Sequence, residues 1–193
     1  EEATGAYYPP HRYRKYLLRG FRTLSRKVEL YSKVLERMGY DPMPTFREPP
    51  EGPVSSPHLS RDFPLVLITG ARRLPFFHSE HRQIKSLRML HPEPRAEIHP
   101  ETAEKLGVEE DQWIAISSPK GRIVQKAHLT LDIRPDVVSV EHGWWFPEEP
   151  GPDHGVWRSN ANVLTSQEGP YDPCFGSYQL RGLPCRVDPV SSA

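Results

Sequence analysis

Proline restricts what this chain can fold into more than any other feature, because 22 of its 193 residues are Pro. A proline fixes its own φ angle and has no backbone N–H to donate, so it interrupts helices and central strands. Hydrophobic residues make up only 36% of the chain. The sequence therefore predicts short strands joined by many loops, and it argues against a helical bundle.

The prolines also divide the chain into an arm and a main domain. Six of them lie within residues 41–57, a density that excludes helix and central strand and predicts an extended strap. We therefore expect residues 1–60 to form a lead-in arm that ends in this Pro-rich strap, and residues 61–193 to form the main domain. The chain begins with Glu rather than Met, and we expect it to be processed or excised from a longer protein.

The arm has the one marked charge asymmetry of the sequence, with nine Lys and Arg against two acidic residues over 3–38. Basic residues mixed with Tyr and Phe over 11–22 suit nucleic acid, and such binding would weaken steeply with salt. The alternative is a basic arm that lies on a more acidic part of a parent protein. We favour the alternative, because Lys+Arg and Asp+Glu balance at 25 each and no second basic cluster follows.

Local patterns within the arm predict two short elements. Residues 27–32 alternate between polar and apolar side chains, which predicts a short strand. Ser32 is a suitable N-cap for a brief helix that runs through Met38, and Gly39 suits the C-terminal end of that helix.

The main domain shows a rhythm of short strands with small helices between them. We expect a buried strand over 65–69, and a helix over 79–90 that has Ser79 at its cap and Ile84, Leu87, Met89 and Leu90 facing inward. The later pattern predicts a strand from 96, a helix from Pro100 to Gly107, strands over 113–117 and 122–131 joined by a hairpin turn, a strand within 135–148, loops over 149–184 and a closing strand over 184–189. This predicts a mainly β fold with short helices, arranged as a closed β-barrel of mixed topology.

Motifs for self-contained catalysis or metal binding are weak. His78 and His81 have H-x-x-H spacing, but no third zinc ligand follows at a familiar distance. Hydrolase, dinucleotide-fold and P-loop signatures are absent from the sequence. Cys174 and Cys185 lack C-x-x-C spacing, so we expect two buried free thiols rather than a cluster or zinc site. No apolar run approaches the roughly 18 residues of a membrane span.

The segment after the first strand is rich in groups that could bind a ligand. Thr69 and Gly70 would let backbone amides approach closely, and Arg72 or Arg73, which remain alternatives, could clamp a phosphate or stack on a planar ring. His78, Ser79 and Glu80 offer mixed donors and acceptors for a heterocycle edge, and the carboxylate suits the N–H donors of guanine. Asn160 and Asn162 offer amides in a later loop. Solvent-facing turn chemistry would explain the same residues.

Six segments, taken in order, resemble the C-terminal region of the molybdopterin oxidoreductases, the dimethyl sulfoxide reductase family. They cover nearly the whole chain, and their order makes the resemblance specific. The segments are residues 20–53, 63–88, 94–123, 133–148, 157–165 and 171–187.

The resemblance implies a double-psi β-barrel of the aspartate-decarboxylase-like type that binds bis-(molybdopterin guanine dinucleotide) carrying Mo or W. It implies no catalytic residue and no metal ligand in this chain, because the metal would be bound from an earlier domain and an iron–sulfur cluster would lie in a missing N-terminal part. The cofactor-binding residues that it implies are Thr69, Gly70, Arg72, Phe77, His78, Ser79, Glu80, Arg82, His142, Trp144, Asn162, Gly176, Ser177 and Arg181.

The same resemblance implies a function within a larger enzyme of anaerobic metabolism. The expected partner is the remainder of the catalytic subunit, with an iron–sulfur electron-transfer subunit as a further partner; nucleic acid and a direct membrane span are not expected. The alternative is a stand-alone nucleotide- or protein-binding module without catalysis. The compartment stays open between the cytoplasm and the periplasm of a prokaryote, and the substrate is not specified.

Overall fold

The structure is a computed structural model that describes residues 13–169 and 171–190. The chain divides into two compact units, and the boundary between them lies between Phe46 and Arg47. The expected boundary between residues 60 and 61 stays a prediction. The longest helix of the described residues has seven residues, and no helix among them has the length and apolar character needed to cross a membrane.

Short elements make up the regular structure of both units. The helices are α1 Tyr16–Arg19, α2 Lys33–Arg37, α3 Lys85–Arg88, α4 Pro100–Leu106 and α5 Val156–Ser159, with 3-10 helices at Leu59–Arg61 and Ala161–Leu164. The strands are β1 Leu65–Ala71, β2 Arg95–Ile98, β3 Trp113–Ser118, β4 Gly121–Leu129, β5 Val137–Glu141 and β6 Arg181–Pro189.

The first unit contains the predicted helix but not the predicted strand. The Ser32 hydroxyl accepts a hydrogen bond from the Leu35 N–H at 3.3 Å, and Gly39 has φ +80°, so both caps of α2 are confirmed. The strand predicted over 27–32 is wrong. That segment makes local hydrogen bonds instead, such as the one from the Thr23 hydroxyl to the Lys27 carbonyl, and an alternating pattern without a neighbouring strand cannot form a ladder.

The second unit is built around a closed barrel in which the strands follow the order β1-β5-β2-β4-β3-β6. β1 pairs with β5 and β2 pairs with β4 in parallel, whereas the other neighbours, including β6 with β1, are antiparallel. The expected closed barrel of mixed topology is confirmed, and its two parallel crossings agree with the double-psi arrangement. Closure also removes the unpaired edges that an open sheet would expose.

Two hydrophobic clusters hold this unit together. The first fills the barrel, where alternate residues of each strand point inward. Its strand members are Leu67, Ala96, Ile98, Ile114, Ile116, Ile123, Ala127, Val138, Val140, Leu183, Cys185 and Val187. The second, the aromatic cluster, consists of Phe76, Trp144 and Phe146, with Leu87 packed against it. It lies beneath the segments that follow β1 and β5, and it therefore positions both of them.

The sequence predicted some elements of the second unit better than others. Helix α4 has Pro100 in its first turn and left-handed Gly107 at its end, as expected. The helix predicted over 79–90 is wrong, because only α3 is helical and Ser79 is not its cap. His78 and His81 have φ angles of +54° and +75°, which an α-helix excludes. Of the side chains expected to face inward there, Leu87 packs inward and the list Ile84, Met89, Leu90 is exposed.

Candidate functional site

The end of β1 lies against the start of β6. The pairing of β1 with β5 shifts register between Thr69 and Ala71, and Gly70 between them has φ +95°, a value that side chains rarely adopt. The Thr69 hydroxyl donates a hydrogen bond to the Leu180 carbonyl at 2.8 Å. A Cβ at Gly70 would lie 3.5 Å from Nη2 of Arg181. The structure therefore places Thr69, Gly70 and the Arg181 guanidinium together.

The two adjacent arginines after β1 have different surroundings. Nη1 of Arg73 lies 3.1 Å from Oε1 of Glu97 on β2, and its Nε lies 3.7 Å from Oε2 of Glu141 on β5. Arg72 is exposed, and its guanidinium lies 5.9 Å from the centre of the Phe77 ring. Arg72 is thus the arginine on the surface beside Gly70, and Arg73 is the one held in ion pairs.

Two loops, residues 76–82 after β1 and residues 142–145 after β5, pack closely against each other. Nδ1 of His78 lies 3.0 Å from Nε2 of His142, so one ring donates a hydrogen bond to the other. Nε1 of Trp145 donates to the Ser79 carbonyl at 2.6 Å. Gly143 has φ +66°, and a Cβ there would lie only 3.2 Å from the Ser79 nitrogen. Glycine at 143 lets the two loops approach this closely.

Arg82 joins the same two loops from beneath. It is 2% exposed, and it donates hydrogen bonds to the carbonyls of His78 at 2.7 Å and His142 at 3.4 Å. Its guanidinium lies 4.7 Å and 4.8 Å from the ring centres of Phe76 and Trp144. Burial lowers the pKa of Arg82 to about 10, so the group remains a cation at neutral pH.

Glu141, the last residue of β5, supplies the negative charge beside Arg82. The carboxylate is 2% exposed, and its Oε1 lies 3.8 Å from Nη2 of Arg82. Its Oε2 lies 2.8 Å from Nε2 of His91 and accepts the Arg95 N–H at 3.2 Å. The charge of Glu141 opposes the lowering of the Arg82 pKa by burial. The sequence signal for this residue is a Glu at the end of an apolar strand, a position where a carboxylate needs partners.

A buried amide links Glu141 to the later Asn-containing turn. Gln125 on β4 is fully buried, and its Nε2 donates to the carbonyls of Glu141 at 2.9 Å and Ser159 at 3.1 Å. Its Oε1 accepts the Glu141 N–H at 3.1 Å. Just beyond Ser159, Oδ1 of Asn160 accepts the Asn162 N–H at 3.0 Å, and Asn162 itself is exposed. Gln125 therefore positions the turn that carries Asn162 relative to β5.

The closing candidates lie in a separate exposed turn between Tyr171 and Tyr178. The Asp172 N–H donates to the Ser177 carbonyl at 2.7 Å, and the Gly176 N–H donates to the Asp172 carbonyl at 2.9 Å. A Cβ at Gly176 would meet no atom within 4 Å. The hydrogen bonds of this turn are local, and the turn presents open backbone to a ligand.

The sequence-predicted residues thus fall into distinct groups. The structure brings most of them together at the ends of β1 and β5, with Asn162 attached through Gln125 and with Gly176 and Ser177 in their own turn. Exposed members are Gly70, Arg72, Phe77, His78, Ser79, Glu80, Asn162, Gly176, Ser177 and Arg181, half-buried members are Thr69 and His142, and Arg82 and Trp144 are buried. Contact between any of these residues and a ligand stays a prediction.

The two cysteines differ in burial. Cys185 is fully buried in the barrel, as expected, and this burial raises the pKa of its thiol to about 12. The expectation of a buried thiol is wrong for Cys174, which is half-buried because it lies in the exposed turn between Tyr171 and Tyr178. Over 13–169 and 171–190, no three His, Cys, Asp or Glu side chains form a group that could bind a metal ion.

Comparison with known proteins gives consistent relatives. Residues 65–183 match the family described as the molydopterin dinucleotide binding domain. The chain is 37% identical over 172 residues to a dopamine dehydroxylase of Eggerthella lenta, which covers 87% of this chain and 17% of that protein. It is 39% identical over 170 residues to an acetylene hydratase of Syntrophotalea acetylenica, covering 84% of this chain and 23% of that protein.

A solved structure agrees with these relatives. Acetylene hydratase from Pelobacter acetylenicus has a TM-score of 0.79 and 33% identity, covering 89% of this chain and 24% of that chain. This likeness confirms the expected barrel class. The present chain spans less than a quarter of the length of each of these proteins. With the matched residues covering more than half of it, the chain belongs to the molydopterin dinucleotide binding domain family.

Proposed function

We propose that this chain is the C-terminal cofactor-binding portion of a molybdenum- or tungsten-dependent oxidoreductase, and that it clamps bis-(molybdopterin guanine dinucleotide) while the metal centre lies in other domains. The observation that carries this proposal is the placement of Arg72 and Arg181, both exposed, beside Gly70 at the end of β1. In a barrel of this family, that placement offers two cations and an accessible backbone to an anionic ligand.

The chemistry of the donor set fits the dinucleotide. A pyrophosphate needs cationic and N–H donors, which Arg72, Arg181 and the backbone at Gly70 and Gly176 would supply. A guanine or pterin ring presents both donors and acceptors along its edge, which suits the exposed Asn162 amide and the groups around His78. The residues that would hold the cofactor in this way are Thr69, Gly70, Arg72, Phe77, His78, Ser79, Glu80, His142, Asn162, Gly176, Ser177 and Arg181.

Arg82 and Trp144 would serve the cofactor from behind this surface. Both are buried, and Arg82 contacts the backbone of both loops that carry the histidine pair. When bound, the cofactor would supply the dithiolene sulfurs that coordinate the metal at which substrate is oxidised, reduced or hydrated. The contribution of this chain would be to neutralise phosphate charge and to keep the pterin orientation rigid.

Exposed apolar side chains support a place within a larger subunit. In the first unit, Leu17, Leu18, Leu24 and Leu30 are each at least 70% exposed. In the second unit Leu74 is fully exposed. Apolar side chains exposed in such numbers are typical of surfaces that another part of a protein covers. The remainder of the catalytic subunit is the partner that would cover them, and an iron–sulfur subunit would be a further partner of the whole enzyme.

The proposal is tested by the composition of the native protein that contains this chain. We would purify that protein and measure molybdenum, tungsten and acid-released guanine nucleotide in the same sample. The expected result is metal together with about two guanine nucleotides per chain, because the cofactor is a bis-dinucleotide. A folded protein that contains neither metal nor nucleotide would contradict the proposal and favour a stand-alone binding module.

A pair of variants on β6 makes the test specific to the site. Arg181→Ala should lower the guanine nucleotide content, because it removes a cation beside Gly70. Arg186→Ala is the matched control, since Arg186 is also exposed on β6 but its Nε pairs with Asp188 at 2.9 Å. Equal nucleotide contents in the two variants would remove Arg181 from the site.

A further inference from the structure

A buried ion cluster lies behind the candidate site, and none of its ionic contacts reaches the surface where a ligand would bind. We define the ion cluster as Arg73, Arg82, His91 and Glu141. Glu141 is its centre, at 3.7 Å from Arg73, 3.8 Å from Arg82 and 2.8 Å from His91. The three partners come from distant parts of the sequence, so the carboxylate ties those parts to the end of β5.

The ion cluster depends on charge more than on complete hydrogen bonding. Several of its buried polar atoms have no hydrogen-bond partner within the described residues: Nε and Nη2 of Arg73, Nε of Arg82 and Oε1 of Glu141. A buried cation without an opposite charge is strongly unfavourable. Glu141 is therefore the group that makes the burial of the Arg82 guanidinium tolerable, and burial does lower the Arg82 pKa to about 10.

Glu141 is itself held in a fixed position by the barrel. Its N–H donates to Oε1 of Gln125 and its carbonyl accepts from Nε2 of the same residue, at 3.1 Å and 2.9 Å. Arg82 then donates to the carbonyls of His78 and His142, one in each of the two loops. A continuous set of contacts thus runs from the rigid barrel through one carboxylate and one guanidinium to both loops.

We infer that Glu141 is a positioning residue, whose charge holds the loops 76–82 and 142–145 together through Arg82 in the arrangement that binds the cofactor. This inference rests on the proposed function, because it assumes that these loops contact the dinucleotide. Glu141 touches no ligand in this role. Its effect passes through Arg82, which the barrel alone would not hold in place.

The test compares Glu141→Gln with Glu97→Gln in the full-length protein that contains this chain. Both changes replace a Glu that pairs with Arg73 by an isosteric amide, but Glu97 is partly exposed and its ion pair is with Arg73. We would follow the loss of bound guanine nucleotide over time. Amide hydrogen exchange at 76–82 and 142–145 would be measured by mass spectrometry, with the β3–β4 hairpin as reference.

The expected result separates the two variants. Glu141→Gln should release nucleotide faster by on the order of tenfold, the size of effect seen when a supporting contact behind a ligand group is removed. Exchange in the two loops should rise while the β3–β4 hairpin is unchanged. Glu97→Gln should stay within about twofold of the parent in both measurements. Parental behaviour of Glu141→Gln, or equal effects of both variants, would overturn the inference.

Two further variants distinguish charge from shape and guard against misfolding. Glu141→Asp restores the charge and should release nucleotide more slowly than Glu141→Gln; an equal rate would mean that shape alone matters and would overturn the inference. If Glu141→Gln does not fold, Arg82→Lys keeps a cation beside Glu141 but loses the fork that reaches both carbonyls. It should then raise exchange in the same loops, and parental exchange there would overturn the inference.

The exchange measurement also separates this inference from the proposed function. If the parent protein contains no guanine nucleotide, the proposed function fails, but exchange in the two loops still reports whether Glu141 positions them. If the parent does contain nucleotide and Glu141→Gln leaves both exchange and release unchanged, the inference fails and the proposed function stands.

Discussion

Arg72 and Arg73 differ because consecutive residues after a strand point to opposite sides. Arg73 turns toward carboxylates on two other strands of the barrel, whereas Arg72 turns to the surface beside Phe77. The same residue type therefore has a structural role at one position and is available to a ligand at the next. The sequence left these two arginines as alternatives, and their ion pairs favour Arg72 as the ligand-binding candidate.

Substitution of each arginine by Ala should give opposite results. Arg72→Ala should lower bound guanine nucleotide while changing the free energy of unfolding by less than about 0.5 kcal/mol, because the side chain is exposed. Arg73→Ala should lower the free energy of unfolding by about 1–3 kcal/mol, because it leaves buried Glu141 with one cation fewer. Nucleotide analysis and denaturant unfolding measure the two effects, and a reversed result would exchange the two roles.

Asn162 is the second residue whose role can be tested alone. Its side chain is exposed at the start of a 3-10 helix, while its backbone N–H is already satisfied by Asn160. Asn162→Ala should weaken cofactor retention by ~1–3 kcal/mol through loss of an amide contact. Gln167→Ala, an exposed amide in the same connection, is the control. Unchanged metal content and activity in Asn162→Ala would remove the residue from the site.

At the scale of elements, the site depends on how closely two loops approach. The loops after β1 and β5 follow parallel neighbouring strands, so both emerge at the same end of the barrel. Gly143 then determines their separation, because a side chain there would press on the backbone of residues 78 and 79. The aromatic cluster lies beneath this contact and supports both loops.

Two glycines with the same backbone conformation allow a matched test of this approach. Gly143 and Gly107 both have φ +66°, but a Cβ at Gly107 would meet no atom within 4 Å. Ala at either position should cost about 1 kcal/mol of stability from the left-handed backbone. Only Gly143→Ala should also lower nucleotide content, because it separates the loops. Equal nucleotide content in the two variants, at equal thermal stability, would contradict this account.

At the scale of the whole molecule, closure of the barrel depends on β6, which pairs with both β1 and β3. Cys185 lies in the middle of that strand and faces the core. Its thiol pKa of about 12, raised by burial, reflects how well the closed barrel excludes water. The half-buried thiol of Cys174, in the exposed turn before β6, provides a comparison within the same chain.

The raised pKa predicts a pH dependence of stability. An unfolded Cys185 would titrate near 9.0, whereas the folded thiol keeps its proton up to about pH 12. Between these values the unfolded chain binds fewer protons, so stability that is fully present below pH 9 should fall as pH rises, by up to about 1.4 kcal/mol per pH unit.

Denaturant unfolding above and below pH 9 would measure this slope. Cys185→Ala should lack the contribution, and Cys174→Ala should retain it because that thiol is only half-buried. Identical slopes in the parent and in Cys185→Ala would contradict the buried, protonated thiol.

Local patterns determined much of the fold. The strand after the Pro-rich strap, helix α4 with its Pro and Gly ends, the β3–β4 hairpin and the closing strand could all be predicted, because periodicity and caps act within a few residues. The same approach failed for residues 79–90. There an apparently helical pattern lost to a loop that packs on distant residues, and His78 and His81 adopt left-handed backbone to make those contacts.

The sequence by itself therefore determined the family, the strands and the set of polar residues at the site, since each is encoded in short ordered segments. Only the tertiary structure decided which of those residues face outward. It turned Arg73 and Arg82 inward, and it made Glu141 their common partner. Arg82 and Glu141 lie about 60 positions apart in the sequence, and a charge buried by such distant contacts has no local pattern that reveals it.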